Sequence, residues 1–301
     1  KSVNKPHICG VVRLVKRILF ITLVLELLGA VLLYIRFAPS MGTSKGAYFG
    51  VFHAVSAFCN AGFDLMGTIE PYTSLAPFRG DMTVNLVVVL LIILGGIGFI
   101  VWDDVLDHGF RLSHYRLHTK IVLSTTLALI VVSMGIYYLL EGDAELADIP
   151  QGERFLATLF QAVTPRTAGF STLNAANLSQ GGMLFTMFLM FIGASPGSTG
   201  GGVKTSTFVV ILLSVVSYTR GRSDVGVFNR RLDDRLVRRA FNIITVYLLL
   251  AITGTLLILA NQNLTFSKVA FETISAIGTV GLSMGITNEL TPFSRVVIIL
   301  L

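Results

Sequence analysis

The chain has 301 residues, 53% of them hydrophobic and only 13% charged, with a mean hydropathy of +0.76. Water-facing domains carry roughly 25% charged residues, so a soluble enzyme of ordinary composition is excluded, and the apolar content excludes disorder. The formal charge of +6 raises the question of nucleic acid, which is answered by where the charges sit.

Lys1 opens the chain without an initiator Met or a signal-peptide pattern, and the apolar run Val296–Leu301 stops abruptly. The sequence therefore reads as part of a longer polypeptide. A membrane-spanning helix needs about 20 apolar residues. In chain order, spans are expected at Ile18–Ile35, interrupted only by Glu26, and at Val84–Trp102, which carries no charge. Ile121–Leu140 is next, then Met183–Ala194, cut short by a Gly/Ser/Pro stretch before Val203–Tyr218 resumes. Phe241–Ala260 follows, and Phe293–Leu301 begins a further span. Between them lie Tyr48–Phe58, Phe155–Val163 and Phe266–Ile277, too short to span and too apolar for surface loops. Such lengths suit helices that dip into the membrane and return. The fold class is an all-α polytopic membrane protein.

The order long helix, short helix, long helix recurs, and the sequence recurs with it. Phe52–Phe63 aligns without a gap on Phe271–Leu282, and Phe160–Phe170 matches with one residue fewer. Gly62, Gly169 and Gly281 are 107 and 112 residues apart, so one module is helix, re-entrant helix, glycine turn, helix. The loops sort by charge. Residues 1–17, 103–120 and 219–239 hold 15 of the 23 Lys/Arg and 6 acids, whereas the stretches around the short helices hold 6 Lys/Arg and 10 acids. The positive-inside rule makes the first set cytoplasmic and puts the short helices and their turns on the outer side. The basic excess is thereby explained without nucleic acid.

Each short helix ends in a small-residue turn: Asn60-Ala61-Gly62, Thr167-Ala168-Gly169 and Thr279-Val280-Gly281. Helix C-termini carry partial negative charge, and extended backbone beyond them can offer carbonyl oxygens in place of an ion's water shell. Glycine reaches the backbone angles that turn carbonyls inward. No turn contains a carboxylate, which favours a monovalent cation. Packing hairpins with ordinary glycine caps are the alternative, and three copies at matching positions weigh against it.

These turns with their flanks, Phe52–Phe63, Thr164–Ser171 and Ser275–Ser283, resemble the Trk/Ktr/HKT superfamily of potassium transporters, closest to the bacterial KtrB-type membrane subunit. Gly95–Phe99 and Gly193–Thr205 add to the resemblance, which runs over essentially the whole chain. It implies a K+-channel-like arrangement of four modules around one pore, with one module missing from this chain. Residues 1–120 would be the second module, 121–239 the third and 240–301 a truncated fourth, each with its cytoplasmic loop. It further implies K+ as the transported ion, held by backbone carbonyls of Asn60, Ala61, Gly62, Thr167, Ala168, Gly169, Thr279, Val280 and Gly281. Similar proteins with Ser in the first filter pass Na+, so an HKT-like Na+ permeability stays open. The resemblance also implies a homodimer in the bacterial inner membrane. The dimer would rest on a cytosolic nucleotide-binding ring of the KtrA/TrkA type, with nucleotide acting only through that ring and no cofactor bound covalently.

Gly193-Ala194-Ser195-Pro196-Gly197-Ser198-Thr199-Gly200-Gly201-Gly202 interrupts a helix at membrane depth. Pro and five Gly in ten residues do not stay helical there, and unwound backbone in the membrane must line a cavity or be buried by protein. The stretch reads as a gate loop running to Lys204, with a packing kink as the alternative. Lys204 either repels cations and pins the loop or snorkels to the interface. A phosphate-binding loop is rejected, because Val203 separates Gly202 from Lys204 and the preceding segment is a membrane helix. Arg166 is expected to brace the turn beside it through backbone hydrogen bonds, His53 to be a buried structural donor, and Glu26 to pair with a neighbouring helix. His108, His114 and His118 show no metal spacing. The basic segment Arg220–Arg239 is either a docking surface for the regulatory ring or the positive-inside rule at work. A secondary transporter coupling Glu26 and Lys204 is the competing class; no nucleophile–base pair supports an enzyme.

Overall fold

The computed structural model describes residues 8–301 apart from 110, 222, 223 and 229, with backbone alone for 8–11, 13 and 230. Residues 1–7 and Arg222, counted above among the cytoplasmic charges, lie outside the described residues. The first repeat is α1 (Ile8–Met41), α2 (Thr43–Phe58) and the bent pair α3 (Met82–Gly96) and α4 (Phe99–His108). The second is α5 (Leu117–Glu141), α6 (Gln151–Val163), α7 (Gln180–Phe191) and α8 (Thr205–Thr219). A hairpin of β1 (Gly226–Val227) and β2 (Arg230–Arg231) leads to α9 (Asp234–Asn261), α10 (Phe266–Ile277) and α11 (Pro292–Leu300).

Among the described residues three helices meet the length and hydropathy of a span, at Leu14–Met41, Leu117–Glu141 and Asp234–Asn261. Much of their bulky surface is turned outward: Leu19, Phe20, Leu249 and Leu256 are all more than half exposed. Such surfaces are stable only when hydrocarbon is the solvent. The short helices instead are the core. Ala54, Ala57 and Phe58 of α2 and Ala157, Phe160 and Ala162 of α6 are essentially inaccessible. Leu33, Phe37, Phe58, Val88, Phe160 and Phe170 join the first two repeats in one cluster.

Side-chain caps fix the starts of α3, α7, α9 and α11 by satisfying N–H groups that the helix leaves unpaired. The Asp81 carboxylate accepts from the backbone of Thr83 and Val84 at 2.9 and 3.0 Å and also pairs with Arg36. Ser179 caps α7 through Gly182, and Thr291 caps α11 ahead of Pro292. The short helices start near where the sequence places them, α2 and α6 beginning at Thr43 and Gln151 rather than Tyr48 and Phe155.

One expected span is corrected. Val84–Trp102 is not a continuous helix: α3 ends at Gly96, Gly98 takes φ +94°, and α4 departs at 95°. The break is made by partners distant in sequence, described below. The hairpin is a second departure, since Gly226–Arg231 reads in sequence only as basic loop.

Candidate functional site

In all three repeats the residue two places before the glycine has a positive φ: Asn60 at 52°, Thr167 at 68° and Thr279 at 53°. The glycines follow at 72°, 83° and 87°, while the residue between keeps a negative φ. L-residues adopt positive φ at a cost, so three copies of the same departure are a built feature. Alternating φ signs flip successive peptides and point their carbonyls to one side.

Each turn hangs from the end of its short helix in the same manner. The N–H groups of Ala61, Ala168 and Val280 donate to the carbonyls of Ser56, Thr164 and Ser275 at 2.9, 3.0 and 2.8 Å. The Ser56 hydroxyl also reaches the Phe63 carbonyl at 2.7 Å, and the Thr164 hydroxyl reaches that of Phe170. These hydroxyl brackets were not singled out in sequence, although the alignment places Ser56 and Thr164 in one column. A further column, His53, Gln161 and Glu272, is polar and buried in every repeat. His53 holds the Phe49 carbonyl at 2.7 Å through Nδ1 and accepts from the Leu65 N–H at 3.3 Å through Nε2, which makes it the structural donor expected.

The turns meet one another. A Cβ built on Gly62 would overlap the Ala168 carbonyl oxygen and lie 3.0 Å from Gly169 Cα. A Cβ on Gly169 would overlap the Val280 carbonyl oxygen, while one on Gly281 would have nothing within 4 Å. The three turns expected from sequence, 60–62, 167–169 and 279–281, therefore lie side by side, the second touching the first through Ala168 and Gly169 and the third through Val280.

The 193–204 loop is packed against the ends of the short helices. The Thr199 hydroxyl donates to the Phe58 carbonyl at 3.1 Å and lies 3.4 Å from Asn60 Oδ1. A Cβ on Gly200 would collide with Thr167 Oγ1, and one on Gly201 with Thr279 Oγ1. Thr199, Gly200 and Gly201 therefore press on Asn60, Thr167 and Thr279, one residue per turn. Within the loop, Gly193 N–H donates to the Val203 carbonyl at 2.9 Å and Ser198 Oγ to that of Ser195 at 2.6 Å. Ser195 and Thr205 share a hydroxyl contact of 2.9 Å. Pro196, Gly197 and Gly202 complete the turn, the two glycines at φ 69° and 65°. Lys204 Nζ donates to the Gly200 carbonyl at 2.6 Å and lies 3.4 Å from that of Gly201, so the ammonium clasps its own loop.

Arg166 departs from expectation. It is buried, but its guanidinium extends to Thr126 of α5 at 3.5 Å rather than to a turn carbonyl. The Cys59 thiol at the end of the neighbouring α2 lies 3.9 Å from Glu26 Oε1, and among the described residues no ion pair joins Glu26 to Lys204, whose ammonium is on the Gly200 carbonyl. Among the described residues no group of His, Cys, Asp and Glu is arranged to hold a metal.

The TrkH family model, described as a cation transport protein, matches residues 5–301. The Ktr system potassium uptake protein B of Bacillus subtilis is 40% identical over all of this chain and 67% of its own length. The potassium/sodium uptake protein NtpJ of Enterococcus hirae is 37% identical over 99% of this chain and 66% of its own length. The crystal structure of the potassium transporter TrkH from Vibrio parahaemolyticus superposes with a TM-score of 0.74 at 19% identity, covering 95% of this chain and 60% of that one. The chain thus spans about two thirds of the length of the curated relatives it matches, and it belongs to the TrkH family of cation transport proteins.

Proposed function

We propose that this chain forms part of the membrane subunit of a K+ uptake system of the Ktr/Trk type. The ion passes along the backbone carbonyls of residues 60–62, 167–169 and 279–281, and the 193–204 loop closes the pathway beneath them. The observation that supports the reading is the shared φ alternation of three turns, with Gly62 facing the Ala168 carbonyl and Gly169 that of Val280. A cation stripped of water needs several oxygens at once, and convergent backbone supplies them without a carboxylate. The loop fits a gate because it lies one residue per turn against Asn60, Thr167 and Thr279 and is bound by polar contacts rather than apolar packing.

In this reading the module bounds are 1–120, 121–239 and 240–301. The basic loops face the cytoplasm of a bacterial inner membrane, the turns open outward, and the subunit pairs as a homodimer on a nucleotide-binding ring. The relatives' names as Ktr system proteins support a multi-component assembly. Na+ is the second cargo to test, since one relative is named for both potassium and sodium.

Uptake of K+, Rb+ and Na+ into proteoliposomes, wild type against Gly62→Ser, Gly169→Ser and Gly281→Ser, tests the filter. Loss of K+ preference or affinity is expected, and unchanged preference in all three variants overturns the assignment. Saturating uptake independent of a proton gradient is expected of a passive pathway; strict proton coupling lost in Glu26→Gln would replace it with a secondary transporter.

A further inference from the structure

The break between α3 and α4 leaves four carbonyls, those of Leu94, Gly95, Gly96 and Ile97, without the N–H groups that a continuous helix would bring them, the Val101 N–H turning to the Gly98 carbonyl instead. In a membrane such groups need partners, and the first three find them. The Leu94 carbonyl accepts from Trp102 Nε1 at 3.0 Å. The Gly95 carbonyl accepts from Thr199 N–H at 3.3 Å, and the Gly96 carbonyl from Ser195 N–H at 2.9 Å. The Phe99 N–H, freed by the same break, donates to the Gly197 carbonyl at 2.8 Å. Three of the four bonds that make the bend tolerable thus come from the gate loop.

The same groups have a second complete set of partners. In an unbroken helix the carbonyl of residue i takes the N–H of residue i+4, so Leu94 pairs with Gly98, Gly95 with Phe99, Gly96 with Ile100 and Ile97 with Val101. The stretch can adopt that state: the pair together is long and apolar enough to span, and neither Pro nor a charge lies between Met82 and Trp102, so within it only the modest helix cost of Gly95, Gly96 and Gly98 stands against it. What opposes it is the docked loop. Gly98 is held at φ +94°, and a Cβ there would lie 2.6 Å from the Pro196 carbonyl oxygen.

We propose that the α3–α4 elbow is the seat of the loop and a two-state element: bent while the loop is docked, and a continuous helix from Met82 to His108 once the loop leaves. Trp102 is a positioning residue, because it occupies the carbonyl that would otherwise start the helical repair. Straightening re-pairs every carbonyl the departing loop abandons, so opening strands no polar backbone in the elbow. It also swings α4, whose Asp103 and Asp107 are both paired with Arg17 of α1 at 3.0 Å. Movement at that basic face is thereby tied to the loop, and the proposal rests on the reading of the loop as the gate.

Spin labels at Met82 and Leu106, both exposed, in the reconstituted protein with Cys9 and Cys59 replaced by Ser, read the elbow directly. At 1.5 Å per residue the bent pair spans about 25 Å and the straight helix about 36 Å. Gly98→Ala favours the helix, so the distance is expected to lengthen by about 10 Å and unstimulated K+ flux to rise about tenfold. Trp102→Phe, which keeps the ring and removes the N–H, is expected to move both readings the same way by less, and serves if Gly98→Ala does not fold. Deleting Gly197–Gly201 is expected to lengthen the distance and raise flux together. If that deletion raises flux while the distance stays near the bent value, the gate stands and the elbow proposal falls. Lengthening in these variants with no change in flux overturns the gate reading beneath it.

Discussion

Substituting Gly169 by Ala tests the carbonyl cluster at its tightest point. Gly169 sits at φ +83°, where an L-residue costs about 1–2 kcal/mol. The added Cβ also overlaps the Val280 carbonyl oxygen, which belongs to a different repeat. That oxygen must retreat by roughly 1 Å to reach van der Waals separation, so the damage passes from the second turn to the third. Strain of 1–2 kcal/mol alone lowers the population of the aligned turn about 5- to 30-fold, and a displaced carbonyl no longer replaces a water at the right distance. Initial rates of Rb+ and Na+ uptake over a range of concentrations are the assay. The expected result is a fall in Rb+ affinity of at least about tenfold with a narrowed Rb+ over Na+ preference, at unchanged expression. Gly67→Ala is the control, since a Cβ there meets nothing within 4 Å. Wild-type affinity and preference in Gly169→Ala would refute the view that these carbonyls coordinate the ion.

Lys204→Met removes the ammonium clasp on the Gly200 and Gly201 carbonyls; a charged hydrogen bond is worth about 1.5–3 kcal/mol. Unstimulated flux is expected to rise about tenfold or more, read as K+ efflux from loaded vesicles without a regulatory partner. His53→Leu keeps the bulk behind the first turn but strands the Leu65 N–H. It should lower stability by about 1–3 kcal/mol, seen as an earlier melting transition in detergent. Single cysteines at Tyr72 and Leu112, both exposed, are expected to react with impermeant reagent from opposite sides of the membrane; labelling from one side reverses the charge argument for topology.

The spans and turns were readable in sequence because they depend on local quantities. Apolar run length marks α1, α5 and α9, and a glycine at a fixed place after a short apolar helix marks each turn. The α3–α4 bend was not readable, since Val84–Trp102 is uniformly apolar and the bonds that break it come from Ser195, Gly197 and Thr199, about a hundred residues on. Gly95, Gly96 and Gly98 were the available signal: three glycines in four residues make a bend possible without saying what stabilises it. Arg166 failed for a related reason. Sequence places it beside the turn, but only the packing of α5 decides which way a long side chain extends.

The one-residue-per-turn register of Thr199, Gly200 and Gly201 has a kinetic corollary. If the loop gates the pathway as proposed, contact with three turns through three consecutive residues leaves no intermediate position in which one turn is cleared and the others remain covered. Release of any one contact moves the short backbone stretch that makes the other two. Conduction through a single copy should therefore switch between two levels rather than grade, and regulation should change how long each level lasts while leaving its amplitude alone.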